Sequence, residues 1–572
     1  MIFHSPSWVP KLANPPSSVT IPEFIFDEST GRAPFAQSRD PFVCGITGKS
    51  FSVQEVKERV DLLARGLAPE LNWSSNAGTE FEKVVAVFSL NSIDYGTVSW
   101  ATHLLGGLVS PVSAAYTAKE LEFQLRDSKA KCLFTCSPLL EIALIAAKAV
   151  GIPENRIYVL QVAGTGVQGT VNGLKTVDDL IRNGRRRPSL ERLRLGNGDG
   201  ARRAAFLCYS SGTSGFPKGV MISHRNVISN ILQVDAYERL HRESAEVALG
   251  ILPMSHIYGL IMLLHENVYR GDSSVVLPKF DFAQSLDAIQ RFKITTLFLV
   301  PPIFVLLIKS KSVVEQHDLS SVIHAVTGAA PLGEETAAQL QQMFPRWLIR
   351  QGYGLTETST VVSSTSGKDI WMGSCGSLIP GCEARLVTEE GKEVENCDQA
   401  GELLIRSPSV ALGYFNNPKA NNETFKNGWL CTGDKAMFRK APSGNQHLFI
   451  IDRMKELVKV KGHQVAPAEL ETHLLTHPAV GDCAVIPVPD EYYGEVPKAF
   501  VTKSSSVCMA ECDALVKQSI LRHAKQGKAN YKWLRGGVEF IDAIPKSPSG
   551  KILRRVLIDQ ERRKKRQIEA RL

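Results

Sequence analysis

The sequence predicts a doubly wound α/β architecture divided into two or more domains. Three observations carry this reading. The chain has 572 residues, more than a single hydrophobic core accommodates. Short apolar runs at 84–88, 108–112 and 131–135 alternate with helix-like stretches, the rhythm of strands laid down between crossover helices. Composition is that of an ordinary globular protein, 44% hydrophobic and 22% charged.

The elements follow in order. Residues 1–45 are rich in Pro and Ser with weak periodicity and read as an extended, wrapping arm. Ser52 and Glu55 form a capping box, and Val56, Val60, Leu63 and Leu67 share one face of the helix behind it. Residues 84–88 form a buried strand, and a helical run then extends to Leu105. Gly106 and Gly107 stop it before the next strand at 108–112. A helix begins around Tyr116, and a strand follows at 131–135. Residues 183–203 hold three successive arginines and three closely spaced glycines, a solvated surface loop. Residues 204–209 are apolar and read as a buried strand. Further strands are expected at 295–300, ended by Pro301 and Pro302, and at 401–406. Pro467 opens a helix at its first turn.

Net charge is +8, of which residues 551–572 alone contribute +6. The excess is a terminal feature, so a general nucleic-acid-binding surface is not indicated. Eleven cysteines show no CxxC pair and no metal-ligand spacing, so reduced structural thiols are expected. The amino terminus lacks the basic-then-apolar pattern of a secretory signal. No uninterrupted apolar run reaches about 18 residues. The most apolar window, 251–264, is broken by Pro253, Ser255 and His256.

The strand at 204–209 leads into Tyr209-Ser-Ser-Gly-Thr-Ser-Gly-Phe-Pro-Lys218-Gly-Val220. Gly212 and Gly215 let the backbone turn tightly and bring bare N–H groups against an anion. Ser210, Ser211, Thr213 and Ser214 add hydroxyls, and Lys218 a mobile charge suited to phosphate. A Walker A loop is excluded, because Gly219 follows Lys218 where a Mg²⁺-ligating hydroxyl belongs. The stretch resembles the phosphate-binding signature of the adenylate-forming enzymes, which include acyl-CoA synthetases, 4-coumarate:CoA ligases, firefly luciferase and peptide-synthetase adenylation domains. Further motifs in family order extend the resemblance over about residues 45–560.

The resemblance implies a large multi-layer α/β domain over residues 1–452 with a small β-barrel-like part. It also implies a hinge at 453–455 and a small, mobile α+β lid over 456–572. It assigns ATP contacts to Ser210, Ser211, Gly212, Thr213, Ser214, Gly215 and Lys218. To these it adds Gln351, Gly352, Tyr353 and Thr356 of the Gln-Gly-Tyr-Gly-Leu-Thr-Glu stretch, with Glu357 as the Mg²⁺ ligand. Asp434 accepts both ribose hydroxyls, Arg453 contacts the ribose and Lys455 is the pivot. Lys459 and Gln464 meet the acyl-adenylate. Lys279, Lys461 and Gly462 meet CoA. His256, in a Leu-Pro-Met-Ser-His segment, stands between the acyl site and the incoming thiol. Tyr258, Met262, Ala329, Ala330 and Gly352 line the acyl pocket. Lys551 sits at the tip of an exposed Pro-Lys-Ser-Pro-Ser-Gly-Lys turn as the catalytic cation.

The implied reaction has two halves. A small carboxylic acid attacks the α-phosphorus of ATP and pyrophosphate leaves; the thiol of CoA then displaces AMP. Lys551, held between two anions where water is excluded, removes their repulsion. His256, Thr356 and Glu357 complete the catalytic set. Departures from the family at four positions leave hydroxycinnamate specificity unsupported: Ser214 and Phe216 for Thr and Leu, Leu404 for Cys, and Met262 in the pocket. A luciferase-type adenylating oxygenase, a loader of a carrier-protein thiol and a non-catalytic nucleotide binder are the alternatives. The acid itself stays open among aromatic, branched and long-chain types. The terminal Ala570-Arg571-Leu572 matches the small–basic–Leu address read by a peroxisomal import receptor, so a peroxisome is expected, otherwise the cytoplasm.

Overall fold

The computed structural model describes residues 1–164, 173–210, 217–239, 242, 244–461, 463–504, 512–526, 528–547 and 550–569. Among them, four sheets organise the chain. The first runs through Val84–Phe88, Leu108–Val112, Cys132–Thr135, Ile157–Val159 and Ala204–Ser210, paired in parallel. Every residue of Val84–Phe88 and Leu108–Val112 is buried, as parallel strands covered on both faces require.

The second sheet places Leu348–Leu355, His324–Thr327, Thr296–Leu299, Val247–Gly250, Ser273–Val276 and Phe42–Cys44 side by side in parallel. The helix His224–Glu238 and the π-helical turn Leu260–Glu266 share one apolar core with strands of both sheets. The third sheet is antiparallel and holds Glu383–Val387, Ala400–Arg406, Trp429–Lys440 and Gln446–Arg453; it is the small barrel-like part. The fourth, Val458–Val460, His463–Val465, Val480–Asp490, Gly494–Lys503 and Val538–Phe540, carries helices Pro467–Leu475, Asp513–Lys525 and Arg554–Glu569. It buries its own core around Val485, Val501 and Ile520.

The local signals act as their chemistry dictates. Ser52 accepts the Glu55 N–H and the Glu55 side chain returns to Ser52, opening the 19-residue helix Val53–Leu71. Two expectations change. The segment 1–45 is woven into the sheets rather than wrapped around them: Phe3–His4 pairs with Glu383–Val387 and Phe42–Cys44 with Ser273–Val276. Its elements run two to five residues, too short to show a period. Pro301 does more than end a strand. It opens the helix Pro301–Lys309, where a missing N–H costs nothing.

Candidate active site

The Gly/Ser-rich stretch joins two antiparallel strands, Ala204–Ser210 and Lys218–Ser223, with Ser210 opposite Lys218. Ser211, Gly212, Thr213, Ser214, Gly215 and Phe216 lie outside the described residues. The strand that returns is the feature the sequence did not announce. Its Gly219 is packed so closely that a Cβ would stand 3.0 Å from Leu207.

Ser210 and Lys218 border a cavity of about 1900 Å³. The C-terminal ends of the second sheet supply its floor. Ala329 holds φ +67°, an unusual conformation for a residue with a Cβ. A Cβ on Gly328 would stand 3.2 Å from the Tyr258 ring, and one on Gly354 only 1.5 Å from the Thr360 carbonyl oxygen. These glycines let rings and backbone lie flat against one another. Tyr258, Met262, Ala329, Ala330 and Gly352 all line this floor.

Polar groups border the same cavity. Tyr353 donates its hydroxyl to Asp434 Oδ2 at 2.6 Å, and Arg453 Nε lies 3.2 Å from Oδ1. Burial pushes the Asp434 carboxyl up, and the Arg453 guanidinium pulls it back. Glu357 Oε1 accepts from Tyr414 at 2.9 Å and from Ser210 at 3.2 Å. Lys218 Nζ sits 4.9 Å above the Tyr414 ring. Thr356, Lys455 and Lys459 border the same space.

Lys551 enters it from the fourth sheet's side. The expected exposed turn is instead docked: a Cβ on Gly550 would stand 3.0 Å from Val300. Lys546 pins the turn to Asp482 at 2.7 Å, and the Ser547 N–H donates to the Lys551 carbonyl at 2.8 Å. The Lys551 side chain is half-buried. Burial, then the Arg453 charge, push its ammonium down to about 8, against the pull of Glu456, Asp434 and Glu357. Sequence alone hides this, because the turn's packing partner lies some 250 residues upstream. Burial and the nearby Lys551 charge likewise push His256 down to about 4. Its Nδ1 accepts the Tyr258 N–H at 3.3 Å, so the ring is a neutral group at pH 7.

Four expected residues stand elsewhere. Gln351 braces the floor from behind, accepting the Leu332 N–H at 2.9 Å and donating to Cys375 Sγ. Gln464 accepts from Lys435 Nζ at 2.6 Å and donates to Glu389. Lys461 rests 3.1 Å from the Tyr492 ring centroid, and Lys279 is exposed. Gly462 lies outside the described residues. Two features escaped the sequence reading. Tyr414 reaches Glu357 from a two-residue strand. Arg554, three residues past Lys551, bonds Glu456 and Glu471 at 2.6 and 2.7 Å; nothing local marks it among the arginines of its helix.

The ten described cysteines are free thiols. Among the described residues no group of three metal-ligating side chains forms and no helix is long and apolar enough to cross a membrane.

Comparison with known proteins agrees with this geometry. Residues 33–415 match the model of the AMP-binding enzyme family, and residues 469–551 that of the AMP-binding enzyme C-terminal domain. The chain is 42% identical over 566 residues to the acyl-CoA ligase AFT1-1 of Alternaria alternata, covering 97% of each. It is 40% identical over 563 residues to the acyl-CoA ligase easD of Emericella nidulans, covering 97% of this chain and 99% of that one. Its fold matches the crystal structure of the anthranilate CoA ligase AuaEII in complex with anthranoyl-AMP, with a TM-score of 0.81 at 25% identity over 97% and 99% of the two chains. Matched over residues 33–415 and again over 469–551, the chain belongs to the AMP-binding enzyme family.

Proposed function

We propose that this chain is an AMP-forming acyl-CoA ligase, which activates a carboxylic acid with ATP and passes the acyl group to CoA. One observation carries the reading: Lys551 is brought into the same cavity as Lys218, Glu357, Asp434 and Arg453. Full-length relatives that are acyl-CoA ligases support it.

In this reading Asp434 and Arg453 hold the ribose and Lys218 steadies the phosphates. Thr356 donates to the α-phosphate. Lys551 bridges the acid's carboxylate and the α-phosphate, so that two anions meet with little repulsion. Glu357 fits Mg²⁺, because its carboxylate is backed by two hydroxyls and, among the described residues, no group of three metal-ligating side chains surrounds it. That suits an ion that keeps waters and substrate phosphates as ligands. Bound there, Mg²⁺ supplies charge neutralisation for the departing pyrophosphate.

The lid begins at the hinge 453–455, and its rotation withdraws Lys551 between the half-reactions. Lys461 and Gln464, now turned away from the cavity, meet CoA and the adenylate only after that rotation. Lys279 and Gly462 belong to the same CoA face. His256, neutral and beside the acyl floor, stands on the thiol's path.

The test is carboxylate-dependent exchange of labelled pyrophosphate into ATP across a panel of acids. Lys551→Ala is expected to slow exchange by about 100-fold or more while sparing thioester formation from supplied acyl-AMP. Equal loss in both half-reactions would refute the role given to Lys551. We place the protein in the peroxisome through Ala570-Arg571-Leu572, which lie outside the described residues. A tagged chain lacking Leu572 is expected in the cytosol, and unchanged targeting sinks that placement.

A further inference from the structure

The helix Pro301–Lys309 follows a strand of the second sheet, yet both of its ends touch the body built on the fourth sheet, the lid of the proposed mechanism. At its start it meets the turn that carries Lys551: a Cβ on Gly550 would stand 3.0 Å from Val300 and 3.8 Å from Pro302. At its last residue, Lys309 Nζ donates to the Val480 carbonyl and, at 3.1 Å, to the Gly481 carbonyl. The length of the helix sets these two contacts about 12 Å apart.

The receiving end is shaped for a cation. Val480 opens the strand Val480–Asp490, and its ladder with Gly494–Lys503 slips by one residue there. Val480 faces Lys503 and Asp482 faces Thr502, which leaves Gly481 as a bulge. A regular strand turns successive carbonyls to opposite edges. A bulge re-aims the backbone, and here two successive carbonyls converge on one ammonium. The close pairing leaves no room for a side chain, since a Cβ on Gly481 would stand 2.8 Å from the Lys503 carbonyl oxygen. Asp482, the next residue, holds Lys546 at 2.7 Å, and Lys546 pins the turn of Lys551. The two ends of the helix therefore meet one connected piece of the lid.

Among the described residues the hydrogen bonds of Lys309 are these two. The residue is exposed overall, but its tip is partly taken out of water. That burial pushes the ammonium down, against the pull of Cys483 and Asp482. Van der Waals contact at Gly550 is not directional, whereas a charged donor shared by two carbonyls fixes a placement. Lifting the lid returns both partners to water, so the net gain is modest and the contact can be made and broken.

We propose that Lys309 is a positioning residue for the first half-reaction: through the Val480–Gly481 bulge it latches the lid where Lys551 stands inside the cavity, and it lets go when the lid turns. The inference rests on the ligase reading and gives its lid a hold outside the hinge. Lys309 touches no reacting atom in this role.

The test compares the two half-reactions of the full-length protein, pyrophosphate exchange with the best acid of the panel and thioester formation from the matching acyl-AMP. Lys309→Met, of similar length but without donors, is expected to slow exchange about tenfold. It should leave thioester formation from acyl-AMP at or above the unaltered rate. Lys309→Arg keeps charge and donors and should restore exchange to within about threefold. Lys311→Ala, which removes an exposed lysine 3.6 Å from Glu315, should change neither rate. A merely structural role would lower both half-reactions together. Exchange unmoved in Lys309→Met, equal loss in both half-reactions, no recovery with Lys309→Arg, or the same slowing by Lys311→Ala overturns the latch and leaves the ligase reading standing. Absence of exchange with every acid in the unaltered protein overturns both.

Discussion

At the scale of single residues, the site works by taking charge out of water. Lys551 is the clearest case. Its ammonium is held down to about 8 by burial and by Arg453, so a free-solution lysine becomes a group that titrates near physiological pH. In the proposed mechanism the working form is the charged one. Adenylation measured as kcat/KM for ATP is therefore expected to fall as pH rises through about 8, and Lys551→Arg should move that fall upward. An alkaline limb unmoved in Lys551→Arg would assign the titration to another group. Stability runs the opposite way. Between about pH 8 and the ordinary lysine value the unfolded chain binds the extra proton, so this residue's share of stability grows with pH. Asp434 shows the complementary arrangement: a buried carboxylate is tolerable because Tyr353 donates to it and Arg453 stands beside it.

At the scale of elements, positions are fixed by contacts between distant segments. The turn carrying Lys551 is tied at one end by Lys546 to Asp482. At its other end Arg554 opens the last helix and is gripped by Glu456 and Glu471. Burial of Glu471 raises its carboxyl, and Arg554 opposes that rise. Arg554→Ala strands buried carboxylates. It is expected to lower stability by about 3 kcal/mol and to slow adenylation, since the turn loses its anchor. Chemical denaturation followed beside pyrophosphate exchange checks both; loss of exchange with unchanged stability would mean that Arg554 touches substrate instead. Helix caps act more locally, and the Ser52–Glu55 box was readable because its partners are three residues apart. The short elements before residue 45 were not, since two-residue strands carry no period and exist only through their partners.

At the scale of the whole molecule, the proposed pair of half-reactions asks two bodies of chain to meet and part. The third sheet ends at Arg453, the proposed ribose contact, and the fourth begins at Val458, so four residues link the two sheets. Freezing that link should separate the half-reactions. Lys455→Pro fixes φ there and is expected to leave adenylation within a few-fold of the unaltered rate while thioester formation from acyl-AMP drops about tenfold or more. Loss of both together would argue against a pivot at this position. The present arrangement, with Lys551 inside and Lys461 and Gln464 turned away, suits the first half-reaction.

The sequence by itself determined the chemistry of the parts. Alternating apolar runs set the doubly wound sheets, the Gly/Ser stretch and the Gly-Tyr-Gly-Leu-Thr-Glu stretch pointed to a nucleotide, and Lys551 was singled out because its Pro- and Gly-rich turn resembles the family's. Those features are local, within a dozen residues, where backbone propensity and spacing decide. Only the tertiary structure decided that Lys551 is half-buried, that Tyr414 backs Glu357, and that Lys218, Glu357, Asp434 and Arg453 border one cavity. Each of those depends on strands and turns far apart in the chain meeting at one place. Burial and charge pairing, which set what such groups do, come into being only when they meet.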